Sequence, residues 1–233
     1  MSIRLAEVVF AALVAQLPLA AAAEEPAVAV EEPAAAEEPG ATTAAPAPPD
    51  AATVREPVER LYAALLDVMK RAGELGFEGR YQAVEPVVAS SYDVPFMAEL
   101  ILGRQWRELT PEQQKLWLET FARLTVSTYA DRFDAWSGES FEVGAVETGT
   151  QGTWVVRTKL VRTDGEPVGL DYRMRLSPNG WRIIDVFLNG TVSELALRRS
   201  EYSVLMKRDG FDALMAAVKE KIAAAEAGTS EDP

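Results

Sequence analysis

The chain of 233 residues contains no cysteine and no histidine. Without cysteine there is no disulfide, no thiolate nucleophile and no thiolate zinc site. Without histidine, serine triads and histidine zinc sites are closed to the chain acting alone. No G-x-x-x-x-G-K-[ST] run occurs, so no P-loop holds ATP. Positive charge is scarce as well: 23 Lys and Arg stand against 36 Asp and Glu, a formal net charge of −13. That balance, with no basic stripe, argues against nucleic acid as a partner. Carboxylate pairs are the remaining route to catalysis, Asp131 with Asp134 or Asp171 with Asp185. Asp171 alternates with arginines and reads as part of a solvated strand face. Asp185 lies between apolar residues, which calls for a hydrogen bond to a turn amide or an ion pair.

The acidity is uneven. Residues 24–53 carry Glu24, Glu25, Glu31, Glu32, Glu37, Glu38 and Asp50 with no basic residue, so the rest of the chain is only mildly acidic. This Ala/Pro/Glu stretch has no aromatic residue and cannot bury enough apolar area to offset chain entropy; it reads as a disordered linker. Before it, "MSIRLAEVVFAALVAQLPLAAAAEEP" has a short basic start at Arg4, an apolar run and an A-x-A site ahead of Glu24. Residues 1–23 therefore read as a cleaved export signal. Gln16 and Pro18 leave the run short of the roughly 20 apolar residues of a membrane span. The expected ordered domain is 54–225, with 226–233 as a frayed tail.

Within that domain the period changes once. Val58, Leu61, Tyr62, Leu65, Leu66 and Met69 follow helical spacing from about Val54 to Gly73. Pro86 and Pro95 should then break the chain into short helices. "TPEQ" is a helix start, with Thr110 as N-cap, Pro111 in the first turn and Gln113 closing a capping box; the helix should reach about Trp136. Alternation takes over at Phe141, Val143 and Ala145, then at Trp154, Val156, Thr158 and Leu160. It continues through Val168, Leu170, Tyr172, Met174 and Leu176, and "WRIIDVFL" is apolar on both faces except for Arg182 and Asp185. Asn179-Gly180 suits the hairpin between the last two strands. Four strands with short links give an antiparallel meander covered by helices, an α+β class in one domain. A second capping box, Thr191 to Glu194, starts a helix over Ser193–Lys207, and Gly210 restarts a last one.

The helical half carries more large apolar side chains than one neighbour usually covers: Phe96, Met97, Leu100, Ile101 and Trp106 beside Trp117, Phe121, Tyr129 and Phe133. Either these fill an ordinary core, or helices and sheet close incompletely and line an apolar cavity. Met69, Met97 and Met174 would suit a cavity that adapts to variable guests.

Several segments together resemble the MlaC family, also called toluene-tolerance auxiliary proteins. "FMAELILGRQWRELTPEQQKLWLETFARLTVSTYADRF" carries Leu102-Gly103, Trp106, Gln113 or Gln114, Phe121 and Tyr129-Ala130 in that family's order. Trp181 to Val186, Gly190 and Ser193 match its W-x-[IV]-x-D-[VI] strand, and "RRSEYSVLMKRDGFDALM" matches its closing motif. The resemblance implies a periplasmic lipid shuttle, monomeric, with an NTF2-like fold. A curved four-stranded antiparallel sheet would pack on a helical half that encloses an apolar cavity. It implies no cofactor, with bound lipid as cargo. The implied partners are an inner-membrane ABC transporter complex and an outer-membrane lipoprotein complex. Arg198 stands where the family has an aromatic residue before its arginine (here Arg199), and Thr191-Val192 separate glycine from serine. These departures resemble a divergent, hopanoid-associated branch called HpnM, which leaves phospholipid and hopanoid both open as cargo.

The expected lipid-lining residues are Leu65, Met69, Phe96, Met97, Leu100, Ile101, Trp106, Phe121, Leu124, Tyr129, Phe133, Val156, Leu170, Tyr172 and Met174. Arg198 and Arg199 are the one basic pair near a possible cavity mouth. Either they pair with Glu194 or Glu201, or they meet a lipid phosphate or an acidic partner. An adaptor that binds no lipid stands as the alternative from a different class; it would have a filled core.

Overall fold

The computed structural model describes residues 49–230. The expected export signal and nearly all of the linker lie outside them. Helix α1 (Ala51–Lys70) begins just ahead of the first apolar residue of its stripe. Asp50 sets that start by accepting the Ala52 amide at 3.0 Å, which satisfies one of the orphan donors of the first turn. Its stripe of Val54, Val58, Leu61, Tyr62, Leu65 and Met69 is buried.

Helix α2 (Ala72–Ser91) is broken at Gly76, whose φ of 59° is open to glycine and costly for most other residues. Pro86 does not end it, contrary to the sequence expectation. Pro86 and Gln82, whose carbonyl loses its helical partner, are both exposed, so water takes the place of the missing amide. Pro95 does act as expected and opens α3 (Val94–Leu102), which Asp93 caps by accepting the Phe96 amide at 3.3 Å. A 3-10 turn (Gly103–Glu108) leads to α4 (Pro111–Arg132). The Thr110–Gln113 capping box is formed in both directions. Helix α4 stops at Arg132 with Phe133 as its cap, one turn before Trp136.

The sheet follows in the order β1 (Ser140–Thr148), β2 (Trp154–Val161), β3 (Val168–Ser177), β4 (Gly180–Leu188) and β5 (Val192–Ser193), every pair antiparallel. Four strands were expected, and the fifth is a two-residue return along β4. Two bulges bend the sheet. One lies between Val143 and Val146, so Ala145 is turned out and Val146 takes the inward place, correcting the simple alternation read from the sequence. Gly144 belongs there because a Cβ would sit 3.2 Å from the Arg157 carbonyl oxygen. The other bulge lies at Arg173/Met174, opposite Ile183–Asp185. One face of the sheet presents Val156, Leu160, Leu170, Tyr172 and Met174, all buried under the helices. Strand β4 is covered on both sides, as its composition implied: Ile183, Ile184 and Asp185 are buried in succession. Ile183 also bridges to Tyr92, and its carbonyl accepts the Asp93 amide at 2.9 Å.

Helix α5 (Glu194–Ala227) reverses at Gly210, which has φ 85° and ψ −179°. The two halves fold back on each other, since Lys221 reaches Glu201 at 2.6 Å and lies 5.4 Å from the Tyr202 ring centre. Trp117 meets Tyr202 edge-on at 6.0 Å, so the first half of α5 lies along α4. The restart at Gly210 is the one the sequence marked.

Candidate functional site

Six aromatic rings join the helical layer to the sheet. Tyr92 meets Tyr129 at 6.0 Å between ring centres, Tyr129 stacks on Phe133 at 5.7 Å, and Phe133 reaches Phe141 at 6.2 Å. Phe141 stacks on Tyr62 at 4.0 Å, and Tyr62 meets Tyr172 edge-on at 5.6 Å. The hydroxyls of Tyr62, Tyr92 and Tyr129 each have a partner. Tyr92 and Tyr129 bond to each other; Tyr62 bonds to Thr158, whose own hydroxyl donates to the Leu170 carbonyl. Burial pushes the Tyr62, Tyr92, Tyr129 and Tyr172 phenols upward, so these groups are neutral donors at any physiological pH.

Beside Tyr92 and Tyr129 stand three charged groups from two helices: Arg132 at the end of α4, and Glu194 and Arg198 in the first turns of α5. Arg198 donates to Glu194 through Nη2 at 2.6 Å and Nε at 3.0 Å. The Glu194 side chain keeps 37% of its surface open, yet desolvation by protein is the largest influence on it. Its pKa nevertheless falls, because Arg198 and Arg132 together outweigh that desolvation. Arg198 shows the same pattern at 17% exposure: desolvation acts most strongly, and Glu194 reverses its direction, leaving the guanidinium charged. Arg157, at similar exposure on the outer sheet face, is governed instead by its bonds to Asp171 and Glu147. The three charges therefore act on one another across the contact between α4 and α5, and Glu194 and Arg132 also act on Tyr129.

The local sequence explains how they are held there. The Asp185 carboxylate accepts from the Leu195 amide at 3.0 Å, the Ser193 hydroxyl at 2.6 Å and the Val186 amide at 2.8 Å. Ser193 in turn accepts the Ala196 amide at 2.9 Å, so it caps α5 in the place where Thr191 was expected. At the other side, Arg80 Nε donates to the Ala130 carbonyl at 2.6 Å and satisfies the end of α4.

The expected lining residues separate by depth. Leu65 and Met69 of α1, Met97 and Ile101 of α3, Phe121 and Leu124 of α4, and Phe133 at its cap are buried. So are Val156, Leu170, Tyr172 and Met174 on the inner sheet face. Phe96, Leu100, Trp106 and Tyr129 remain partly accessible. The Phe96 ring is covered by the Arg175 guanidinium at 4.1 Å, which also binds Asp93 at 2.7 Å. Arg198 and Arg199 part company. Arg198 turns to Glu194 and lies 5.9 Å from the Phe121 ring centre, while Arg199 is exposed beside Gly103. Sequence reasoning missed Arg132, although its spacing of three from Tyr129 placed both on one helix face.

Of the two carboxylates weighed for catalysis on the sheet, Asp171 corrects the solvated-face reading: it is 7% exposed. Arg157 donates to it at 2.6 Å and the Thr158 amide at 3.2 Å, and the tight turn at Gly190 passes close over it. Alternation with arginines marked a charged face but not that Arg157 on the neighbouring strand would cover it. Asp185 bonds to turn and helix amides, as expected. Asp131 is turned toward Ser230.

A family profile described as MlaC protein matches residues 59–220, which spans the helices, the sheet and most of α5. The chain belongs to the MlaC family. Its fold matches that of a phospholipid-binding protein from Ralstonia solanacearum, whose structure was determined in complex with a phospholipid. The two share 26% identity over 75% of this chain and 97% of that one, with a TM-score of 0.62. The α+β architecture with an open antiparallel sheet is thus that of the MlaC, NTF2-like fold, and membership of a lipid-binding family points to binding and transport in place of catalysis. Among the described residues no helix is long and apolar enough to cross a membrane.

Proposed function

We propose that this MlaC-family protein is a periplasmic lipid carrier. The acyl chains of a glycerophospholipid enter between the helices and the inner sheet face. The phospholipid-bound relative of the same fold, matched along nearly its whole length, carries this reading. The buried apolar residues of α1, α3, α4 and the sheet support it, because they form one continuous apolar layer between helices and sheet. On this reading residues 1–23 direct export and are removed, and the chain works as a monomer. It exchanges lipid with an ABC transporter complex at the inner membrane and a lipoprotein complex at the outer membrane.

Magnitudes shape the mechanism. Each methylene kept from water is worth about 0.8 kcal/mol, so two sixteen-carbon chains represent on the order of 20 kcal/mol. A carrier has to offer a comparably dry environment or the lipid stays in its bilayer. Side chains now packed at less than 8% exposure, such as Met97 and Leu170, must therefore move apart or already contact the chains when lipid is bound. Transfer is then nearly balanced, with direction set by docking or by a partner ATPase. The test is native mass spectrometry of delipidated protein mixed with phospholipid vesicles. A protein–diacyl-lipid complex is expected; no bound lipid under any loading condition overturns the reading and leaves the adaptor.

A further inference from the structure

A cleft of about 470 Å³ lies where the first turns of α1 meet the end of α2 and the turn between β3 and β4. Glu56, Pro57 and Arg60 line it from α1, and Trp181 and Arg182 line it from β4. Arg60 donates to Glu56 at 2.9 Å and to the Ser90 carbonyl at 3.3 Å, which holds its guanidinium at the wall. Its Nε is enclosed and has no partner among the described residues. Arg182 donates from Nη1 to the Trp181 carbonyl at 2.9 Å, and among the described residues it pairs with no carboxylate. The acids around it are engaged. Glu56 is bound to Arg60, and Asp93 binds Arg175, the residue opposite Arg182 on β3, at 2.7 Å. Asp50 caps α1, where the helix end is itself positive. A guanidinium fork with free N–H groups suits a carboxylate, and Trp181 with Pro57 gives the wall an apolar stretch beside it. The cleft therefore calls for a carboxylate next to a compact apolar group.

Such a ligand stands just upstream in the chain. Glu-Glu-Pro occurs at 24–26, 31–33 and 37–39, with no Lys or Arg anywhere in residues 24–53. The described residues begin at Pro49, close to Thr53 in the cleft wall. A loose chain with the length of residues 40–49 spans roughly 15–20 Å, so the last unit is within reach of the cleft. We propose that the cleft binds the chain's own Glu-Glu-Pro units, residues 37–39 first among them, with a glutamate carboxylate on Arg182 and the proline ring against Trp181. Tethering supplies an effective concentration on the order of millimolar, so a contact too weak to hold a separate peptide holds the linker. The stretch between export signal and domain then folds back on the domain it precedes. This docking does not depend on lipid carriage.

The chain has no cysteine, so Gly40→Cys carries a single nitroxide label in the full chain, and backbone amides are read by NMR. Broadening of the Asn179 and Gly180 amides relative to the reduced label is expected, and about 0.5 M sodium chloride should weaken it. Arg182→Gln is expected to lower the docked fraction about fivefold, the scale of an exposed ion pair, and Arg182→Lys to restore part of it. Replacing the glutamates of all the Glu-Glu-Pro units by glutamine leaves the described domain unaltered and should remove most of the broadening. Equal broadening in the parent, Arg182→Gln and the glutamine variant marks a tether that only drifts past the cleft, and overturns the docking. Shifts at Asn179 and Gly180 when a synthetic peptide of residues 31–40 is added, with no broadening in the labelled parent, assign the cleft to an acidic segment of another protein and also overturn it.

Discussion

Asp185 on β4 accepts the amide hydrogen of Leu195 on α5 at 3.0 Å, and this bond fixes where the sheet hands the chain to its last helix. The same carboxylate holds Ser193, which caps α5, so one side chain sets the position of Glu194 and Arg198. Asp185→Ala removes all three bonds and leaves buried amides without partners. The expected loss is about 2–4 kcal/mol, from the penalty for unsatisfied donors together with the weakened cap. Urea unfolding checks it, and an unchanged midpoint would show that the cap is redundant.

The ionisation of Asp185 gives a second expectation. Desolvation raises its pKa above the ordinary 3.8, against the opposing effects of Ser193, Leu195 and Val186. The native state then binds the proton more tightly than the unfolded chain does. Its contribution to stability is greatest below 3.8 and declines as pH rises through the raised native value. Asp185→Asn lacks this dependence. The stability of the variant relative to the parent should therefore improve from acid toward neutral pH, measured by urea midpoints at fixed salt; a difference that stays flat or runs the other way contradicts the assignment.

Trp117 is fully buried and donates its indole N–H to the Ala98 carbonyl at 3.0 Å, joining α4 to α3 while it meets Tyr202 on α5. Trp117→Phe leaves that carbonyl unpaired and a gap beside it, with an expected cost of about 1–3 kcal/mol; Trp117→Ala should cost about 3–5 kcal/mol. Thermal unfolding of the two variants should rank them in that order.

Gly210 turns α5 back on itself at a backbone conformation open essentially to glycine. No heavy atom lies within 4 Å of where a Cβ would stand, so the cost of Gly210→Ala is conformational and not steric. About 1–3 kcal/mol is expected. Gly79→Ala is the contrasting case: it sits in ordinary helix, and its Cβ would meet the flexible Leu75 side chain at 3.0 Å. Chemical unfolding of the pair should show the larger loss at Gly210.

The sequence by itself determined the order of elements, the capping box at Thr110 and the break at Gly210. Those features are written in neighbouring residues: apolar spacing, a side-chain oxygen within reach of its own helix, a glycine where φ must be positive. It also marked Asp185 as needing partners, because a carboxylate among apolar residues cannot stay buried alone. The family resemblance was legible for the same reason, being an order of local motifs.

Tertiary structure decided what local pattern could not. The bulge at Val143/Val146 turned Ala145 outward, Arg157 on the next strand covered Asp171, and solvent on one face let Pro86 stay inside a helix. Arg198 and Arg199 are adjacent in sequence, yet a step of about 100° around the helix turns one to Glu194 and leaves the other in water. Arg132 and Glu194 come together only because α5 lies along α4. Charge complementarity between distant segments depends on distance and dielectric, and neither exists until the chain has folded.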